Sequence, residues 1–212
     1  MKTISRRTLG QAMGLVAAAA LTASAFTHNA FADVVTGEAA PAFSVETASG
    51  EALSLDSLAG QTVVLEWTNH GCPYVQRHYR SEHIQTLQAN AAADDVVWIQ
   101  VISSAPGEQG FVEAEQALAL NVERGANPAH VVLDPSGDLG RLYDARTTPH
   151  MYVIDGDSVL QYQGGIDDQP RPRPGDPEPT DYVSMALAAV SAGETPDPAQ
   201  TQPYGCNVKY AY

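Results

Sequence analysis

Continuous runs of apolar residues mark the segments of this chain that fit buried β-strands. Thr62 to Trp67 (TVVLEW) and Val96 to Ser103 (VVWIQVIS) have strand length and little polar alternation, as strands covered on both faces do. A third run, Val131 to Asp134, ends at a Pro-Ser-Gly turn. Met151 to Asp155 and Ser158 to Gln163 flank a Gly-Asp turn, which predicts an antiparallel hairpin. These runs are the candidate strands of a central sheet.

Segments with a helical spacing of apolar residues separate these strands. Pro73 suits the first turn of a helix, where its missing N–H is not needed, and the spacing continues through Ala93. This predicts one helix over residues 73–93. Further helices are expected over residues 111–121 and 181–191. The order of strands and helices predicts an α/β fold with a mixed sheet and helices on both faces.

Other segments lack a pattern that would form a core. Two short apolar segments, residues 41–45 and 52–55, are joined through Ser-Gly and predict an N-terminal hairpin. Residues 167–179 contain five prolines, and residues 192–203 are rich in small and polar residues. Both are expected to be surface loops or extended chain, and the second leads to Cys206.

The N-terminus reads as an export signal. A basic head is followed by an Ala-rich apolar stretch and by Ala30-Phe31-Ala32 as a cleavage site, so residues 1–32 are predicted to be a secretory signal. Ser5 to Leu9 (SRRTL) approaches the twin-arginine pattern; an ordinary Sec signal and an uncleaved anchor are the alternatives. We expect a periplasmic or otherwise exported protein with one domain over residues 33–191 and a C-terminal tail over residues 192–212.

The charge balance is strongly acidic. The chain has 11 basic and 25 acidic residues, for a net charge of −14. Removal of residues 1–32 takes away three of the 11 basic residues and no acidic one, which leaves 8 against 25, or −17. This charge argues against nucleic acid as a partner, and against stable association with anionic membranes after cleavage.

The two cysteines are the main candidates for chemistry. Cys72 and Cys206 are too few for a disulfide scaffold, but an even pair in an exported chain fits a structural or a catalytic disulfide. Cys72 follows a predicted strand and precedes Pro73 at a predicted helix start. The free N–H groups and the dipole of a helix start favour a thiolate, so the pKa of Cys72 should be lowered. The alternative is a small buried apolar residue beside a turn.

Thr147-Thr148-Pro149 precedes the first strand of the predicted hairpin. A proline here is often only a strand boundary. A cis proline would instead turn the backbone of Thr148 toward an incoming sulfur, where it can pair with a substrate chain in a mixed disulfide.

From about Gly37 to Ser191 the chain resembles the thioredoxin-fold redoxins, in particular the alkyl hydroperoxide reductase and thiol-specific antioxidant (AhpC/TSA, peroxiredoxin-like) group and its periplasmic thioredoxin-like relatives. The resemblance implies a thioredoxin-like fold, Cys72 as the attacking thiol and Pro149 as the cis proline beside it. The segments that carry it are APAF at residues 40–43, LAG at 58–60, VVLEWTNHGCPYV at 63–75, VLDPSGDLGRLYDA at 132–145 and TTPHMYVID at 147–155.

The resemblance also draws attention to Glu66, six residues before Cys72, which is the offset of the buried acid in thioredoxin. Glu66 is a candidate proton acceptor or relay; a glutamate facing solvent at the end of a strand is the alternative. Val75 replaces the second cysteine of Cys-x-x-Cys. Leu65 and Asn69 stand where peroxiredoxins have Pro and Thr, which puts rapid peroxide reduction in doubt.

Oxidised Cys72 needs a second sulfur to resolve it, and Cys206 is the intramolecular candidate. We therefore expect the tail to fold back and bring Cys206 near Cys72. The predicted function is antioxidant thiol-disulfide oxidoreduction or thiol-dependent peroxide reduction in the cell envelope. The expected partners are a protein or small-molecule disulfide, or a peroxide, with an external dithiol as reductant; no organic cofactor or metal is expected. A permanent Cys72–Cys206 staple and pairing between chains remain open.

A non-enzymatic, thioredoxin-like copper- or thiol-binding chaperone is the alternative function. His70, Cys72, His78 and His83 suggest a metal site, but such chaperones typically have two cysteines in Cys-x-x-x-Cys with a downstream histidine. His78 and His83 are five residues apart in one predicted helix, which is a poor spacing for a shared face. Packing or surface roles are favoured for both. Asp167, at the end of the hairpin, is most simply a loop cap.

Overall fold

The computed structural model describes Met1 and residues 34–211. Residues 2–33, which carry the predicted export signal and its cleavage site, lie outside the described residues. Residues 34–211 lie within one compact unit. Within the described residues, no helix has the length and apolar character needed to cross a membrane.

The predicted strands and helices occur in the predicted order, together with further short elements, and the first predicted helix is divided in two. The strands are β1 (Ser44–Glu46), β2 (Ala52–Ser54), β3 (Val63–Trp67), β4 (Val97–Ile102), β5 (His130–Leu133), β6 (Thr147–Thr148), β7 (His150–Ile154), β8 (Leu160–Gly164) and β9 (Cys206–Asn207). The helices are α1 (Pro73–Arg80), α2 (His83–Ala93), α3 (Ala114–Glu123), α4 (Asp138–Leu142) and α5 (Tyr182–Ser191), with a 3₁₀ turn at Asp56–Leu58.

The central sheet has five strands in the order β5-β4-β3-β7-β8. β3 lies in the middle, parallel to β4 on one side and antiparallel to β7 on the other. All five residues of β3 are buried, as its lack of polar alternation predicts. The expected mixed sheet, the β1–β2 hairpin and the β7–β8 hairpin are thereby confirmed.

The two faces of the sheet are covered by separate apolar clusters. One contains Trp67, Tyr143 and Tyr152 together with residues of the N-terminal hairpin. The other lies under α1, α2 and α5 and includes Cys72 and Ile84. Each fully buried aliphatic side chain in such a cluster contributes about 2 kcal/mol. The second cluster fixes the position of α1, and therefore of the cysteine at its start.

The single helix predicted over residues 73–93 is wrong, because the structure has two helices there. Glu82 adopts a left-handed conformation with φ 59°, which ends the run between α1 and α2. Side chains satisfy the carbonyl groups freed at the end of α1: Ser81 Oγ donates to His78 O at 3.1 Å, and Gln85 Nε2 donates to Tyr79 O at 2.8 Å. Local polar side chains therefore make the break possible.

The C-terminal tail contains a strand that the sequence pattern does not predict. β9 pairs antiparallel with β6, with Cys206 opposite Thr148 and Asn207 opposite Thr147. Two residue pairs are too few to show alternation. The tail is thus held against the domain at the point where the chain enters β7.

Candidate functional site

Cys72 lies at the end of a short loop that leads from β3 into α1. Asn69 shapes this loop: its Oδ1 accepts from Gly71 N at 2.8 Å, its Nδ2 donates to Gln109 O at 3.0 Å, and its carbonyl accepts from Cys72 N at 3.0 Å. Cys72 is the N-cap residue of α1, and Pro73 occupies the first helical position. The sulfur is therefore beside the free amides of a helix start, as expected.

Thr148 and Pro149 lie directly opposite this sulfur. The peptide bond between them is cis, and the Cys72 thiol donates to the Thr148 carbonyl oxygen at 3.1 Å. The Thr148 side chain is buried, and its hydroxyl has no hydrogen-bond partner among the described residues. The structure thus brings together three of the residues that the sequence suggests for the site.

The tail brings Cys206 to the same place. Its sulfur is 2.8 Å from the Cys72 sulfur, and both residues are free thiols. Gly205 makes this approach possible: its φ is +145°, and a Cβ added there would overlap the Thr148 carbonyl group. Cys72 is 0% exposed, whereas Cys206 is partly exposed. With the tail docked, the sulfur at the helix start has no open surface.

The two thiols differ in acidity. Burial raises the pKa of Cys72, but hydrogen bonds from the Cys206 thiol and then from the Val75 N–H outweigh burial, so its pKa is lowered overall. Burial raises the pKa of Cys206 to about 11, helped by its hydrogen bond to Cys72 and by the charge of Cys72. Cys72 is therefore the more acidic thiol of the pair, and it loses its proton at a lower pH than Cys206 does.

Comparison with protein families identifies the family of this chain. The model of the AhpC/TSA family matches residues 36–163. The chain belongs to the AhpC/TSA family. No curated protein matches the chain.

Solved structures share the fold of this AhpC/TSA-family chain. An uncharacterized conserved protein from Geobacillus kaustophilus is similar with a TM-score of 0.72 and 22% identity over 84% of this chain and 93% of that one. A hypothetical protein from Sinorhizobium meliloti 1021 gives a TM-score of 0.69 and 21% identity over 85% and 97%. A Chlorobium tepidum protein assigned as the thiol:disulfide interchange protein DsbE gives 0.51 and 21% over 62% and 85%. The thioredoxin-like fold expected from the sequence is confirmed.

The carboxylate of Glu66 is fully buried in this AhpC/TSA-family fold, so the alternative that it faces solvent is wrong. Tyr79 Oη donates to Oε1 at 2.9 Å, and Trp98 Nε1 donates to Oε2 at 2.8 Å. The side-chain amides of Gln88 and Gln100 add longer bonds of 3.4 Å. No hydrogen bond joins Glu66 to Cys72 among the described residues. A proton-relay role for Glu66 therefore remains a prediction.

His78 and His83 are close together, which corrects the expectation that their spacing keeps them apart. The break between α1 and α2 places their Nδ1 atoms 3.1 Å apart. His83 Nε2 is 2.9 Å from Asp181 Oδ2. His78, His83 and Asp167 could hold a metal ion, since one ligand atom of each lies within 4.8 Å of the others. However, Arg77 Nη2 lies 2.8 Å from His78 Nε2. The positively charged guanidinium group therefore already hydrogen-bonds the nitrogen that would have to bind the metal ion.

Neither sulfur belongs to this histidine cluster, and His70 is separate from it. Burial, and then the charge of Arg124, lower the pKa of His70, so its ring is neutral at pH 7. The cluster is joined by a continuous chain of hydrogen bonds that runs from His83 through His78 and Tyr204 to Asp167. It therefore fits the expected packing role better than a metal-delivery site.

Two tyrosines anchor the tail on either side of Cys206. The hydroxyl of Tyr204 donates to Asp167 Oδ1 and accepts from Arg77 Nη2 at 2.9 Å. The hydroxyl of Tyr210 donates to the Ala145 carbonyl at 2.7 Å. The aromatic residues of the tail indicate that it can dock, but the sequence does not reveal Asp167 and Arg77 as anchors because they are distant along the chain.

Proposed function

We propose that this AhpC/TSA-family protein is a thiol-disulfide oxidoreductase that alternates between a Cys72–Cys206 dithiol and the corresponding disulfide. The observation that carries the proposal is the 2.8 Å separation of the two sulfurs at a helix start and a cis-Pro149. The difference between the pKa values of Cys72 and Cys206 supports it. Thiol-disulfide exchange needs an attacking sulfur that ionises readily and a second thiol that stays protonated until it attacks the mixed disulfide.

The reaction proceeds in two exchanges. The Cys72 thiolate attacks one sulfur of a disulfide substrate; a bond forms between these sulfurs, the substrate disulfide breaks, and the other substrate sulfur leaves as a thiolate and is protonated. Cys206 then loses its proton and attacks the Cys72 sulfur, which releases the second substrate thiol. The substrate gains two electrons, and the protein is left with a Cys72–Cys206 disulfide. An external dithiol reverses these steps.

A peroxide would lead to the same disulfide by another route. Attack of the Cys72 thiolate on a peroxide oxygen breaks the O–O bond, releases the other oxygen as water or an alcohol after protonation, and leaves a sulfenic acid, which Cys206 converts to the disulfide with loss of water. The surroundings of Cys72 favour the disulfide substrate. The Asn69 side chain is already engaged within the loop. Arg146, an arginine near the predicted site, pairs with Asp144 at the surface with 67% of its side chain exposed, and among the described residues neither its side chain nor that of Asn69 hydrogen-bonds the Cys72 sulfur.

The cell envelope is the proposed location, on the basis of the basic and apolar pattern of residues 1–32. An oxidising compartment suits a protein whose two cysteines lie close enough to pair. The resemblance in fold to the Chlorobium thiol:disulfide interchange protein is consistent with this role.

Stopped-flow oxidation of the reduced protein tests the function. Wild type, Cys72→Ser and Cys206→Ser are mixed separately with a peptide disulfide and with hydrogen peroxide, and products are identified by mass. Wild type should form the internal Cys72–Cys206 disulfide faster with the peptide disulfide than with hydrogen peroxide. Cys72→Ser should be inert, and Cys206→Ser should stop at a mixed disulfide on Cys72. Unchanged reactivity of Cys72→Ser, or the absence of a Cys72–Cys206 linkage in oxidised wild type, would contradict the proposal.

A further inference from the structure

The tail occupies the groove in which a substrate of the proposed reaction must lie. β9 runs antiparallel to β6, and Cys206 lies opposite Thr148 with its sulfur against Cys72. Main-chain pairing of this kind is open to any extended peptide. Because Cys72 is 0% exposed while the tail is docked, a polypeptide disulfide can reach this sulfur only by taking the place of the tail.

Side chains around Tyr204 form a built recognition site next to this strand. Its hydroxyl donates to Asp167 Oδ1, accepts from Arg77 Nη2 at 2.9 Å, and lies 3.0 Å from His78 Nε2. Asp167 is 4% exposed and His78 is 2% exposed. The Tyr204 ring lies 5.9 Å from the ring of Tyr74, and the guanidinium carbon of Arg77 lies 5.8 Å from its centre. The site therefore recognises both the ring and the hydroxyl of a phenol.

The residue between the phenol and the sulfur is also restricted. Gly205 has φ +145°, and an added Cβ would overlap the Thr148 carbonyl group. A peptide bound with the same backbone path therefore needs glycine at this position. Phenol, glycine and sulfur are thus recognised at three successive residues.

Departure of the tail would remove the Tyr204 hydroxyl from the buried carboxylate of Asp167 and from the ring of His78, although Asp167 keeps its bond from Gln169 N and His78 keeps its contact with Arg77. A buried polar group that loses one of its partners destabilises that state, whereas a second phenol in the same position restores the bonds. We propose that the groove vacated by the tail binds extended polypeptide disulfides with a tyrosine two residues before the reacting cysteine and a glycine between them, and that the tail is an internal copy of this ligand. The proposal rests on the function proposed above.

Competing peptide disulfides provide the test in the full-length Cys206→Ser chain. The probe is a peptide with the sequence of residues 201–210, TQPYGCNVKY, whose cysteine is linked to thionitrobenzoate. Attack by the Cys72 thiolate joins Cys72 to the peptide sulfur and releases coloured thionitrobenzoate. Matched peptides carry Phe in place of Tyr, or Ala in place of Gly. Cysteine linked to thionitrobenzoate is the small control.

The tyrosine peptide should react at least about tenfold faster than the phenylalanine peptide, because the buried phenol hydrogen-bonds a charged partner. It should also react faster than the alanine peptide, because an added Cβ overlaps the Thr148 carbonyl group. Asp167→Asn in the same background should reduce the ratio of the tyrosine to the phenylalanine peptide, while the small control still reacts. Equal rates for all peptides would overturn the proposal even though the oxidoreductase function stood. If cysteine linked to thionitrobenzoate also fails to react, both the peptide recognition and the oxidoreductase function are rejected.

Two further outcomes are decisive. If Asp167→Asn does not fold, as circular dichroism would show, the peptide ratios in the unaltered Cys206→Ser chain still decide the question. If sedimentation shows that this chain exchanges tails between two copies, and added peptide does not disturb the dimer, the groove belongs to a second copy and the proposal is wrong.

Discussion

Replacement of Gly205 by alanine should uncover Cys72. The φ of +145° belongs to a backbone region used almost only by glycine, where another residue costs of order 1–3 kcal/mol. The obstacle to the new Cβ is a backbone carbonyl, that of Thr148, so no rotation of a side chain can relieve it. With about 2 kcal/mol lost from docking, the undocked fraction of the tail rises about 30-fold, since 1.4 kcal/mol corresponds to a factor of ten.

The assay is alkylation of Cys72 by iodoacetamide in the Cys206→Ser background, which has a single thiol. The pH is chosen so that this thiol is fully ionised in every variant. When the tail closes faster than alkylation occurs, the rate follows the open fraction. Gly205→Ala should therefore raise the alkylation rate about 30-fold.

Gly175→Ala is the matched control for this experiment. Gly175 also has a positive φ, +94°, but nothing lies within 4 Å of an added Cβ. Its replacement should leave the alkylation of Cys72 unchanged, although it introduces similar backbone strain. Equal alkylation rates for Gly205→Ala and the parent would refute the reasoning that the tail covers the sulfur through this close approach.

Three other changes test the electrostatics of the structure. Cys206→Ala should raise the pKa of Cys72, because the hydrogen bond from Cys206 is the largest contribution that lowers it; ultraviolet titration of the thiolate measures this, and an unmoved pKa would contradict the assignment. Glu66→Gln should destabilise the fold by about 3 kcal/mol in urea unfolding, because a buried carboxylate with several donors is replaced; a simultaneous change in the pKa of Cys72 would support the relay role. Burial lowers the pKa values of His78 and His150 to about 3, so both are neutral in the folded protein and charged in the unfolded chain at acidic pH. Stability should be fully present above about pH 6.5 and fall by about 1.4 kcal/mol per pH unit for each histidine between about pH 6.5 and 3; His150→Gln should give a shallower slope, and a slope equal to wild type would exclude its contribution.

Local patterns in the sequence were sufficient to predict much of the fold. The apolar run that forms β3 is buried on both faces, and its position before Cys72 and Pro73 specifies a sulfur at a helix start. These features depend on neighbouring residues, so their pattern is visible in a single sequence. The order of the other strands and helices is readable for the same reason.

Features that depend on contacts between residues distant along the chain could not be predicted from the sequence. The break at Glu82 rests on a left-handed residue and on side-chain bonds to freed carbonyl groups, neither of which interrupts the apolar spacing. β9 consists of two residues whose partner lies near residue 148, and the anchor of Tyr204 is Asp167. The burial of Glu66 depends on donors from three other elements. These features are determined by tertiary contacts, which local helix and strand propensities do not reveal.

The anchoring of the tail on both sides of Cys206 has a kinetic consequence. Tyr204 and Tyr210 hold the intervening chain so that the second sulfur does not have to search for the first. A reaction between groups held in this way has an effective molarity far above that of any thiol in solution. The lifetime of a covalent intermediate on Cys72 in the wild-type protein should consequently be set by the time that the bound peptide takes to leave the groove, because Cys206 attacks at once when the tail docks again.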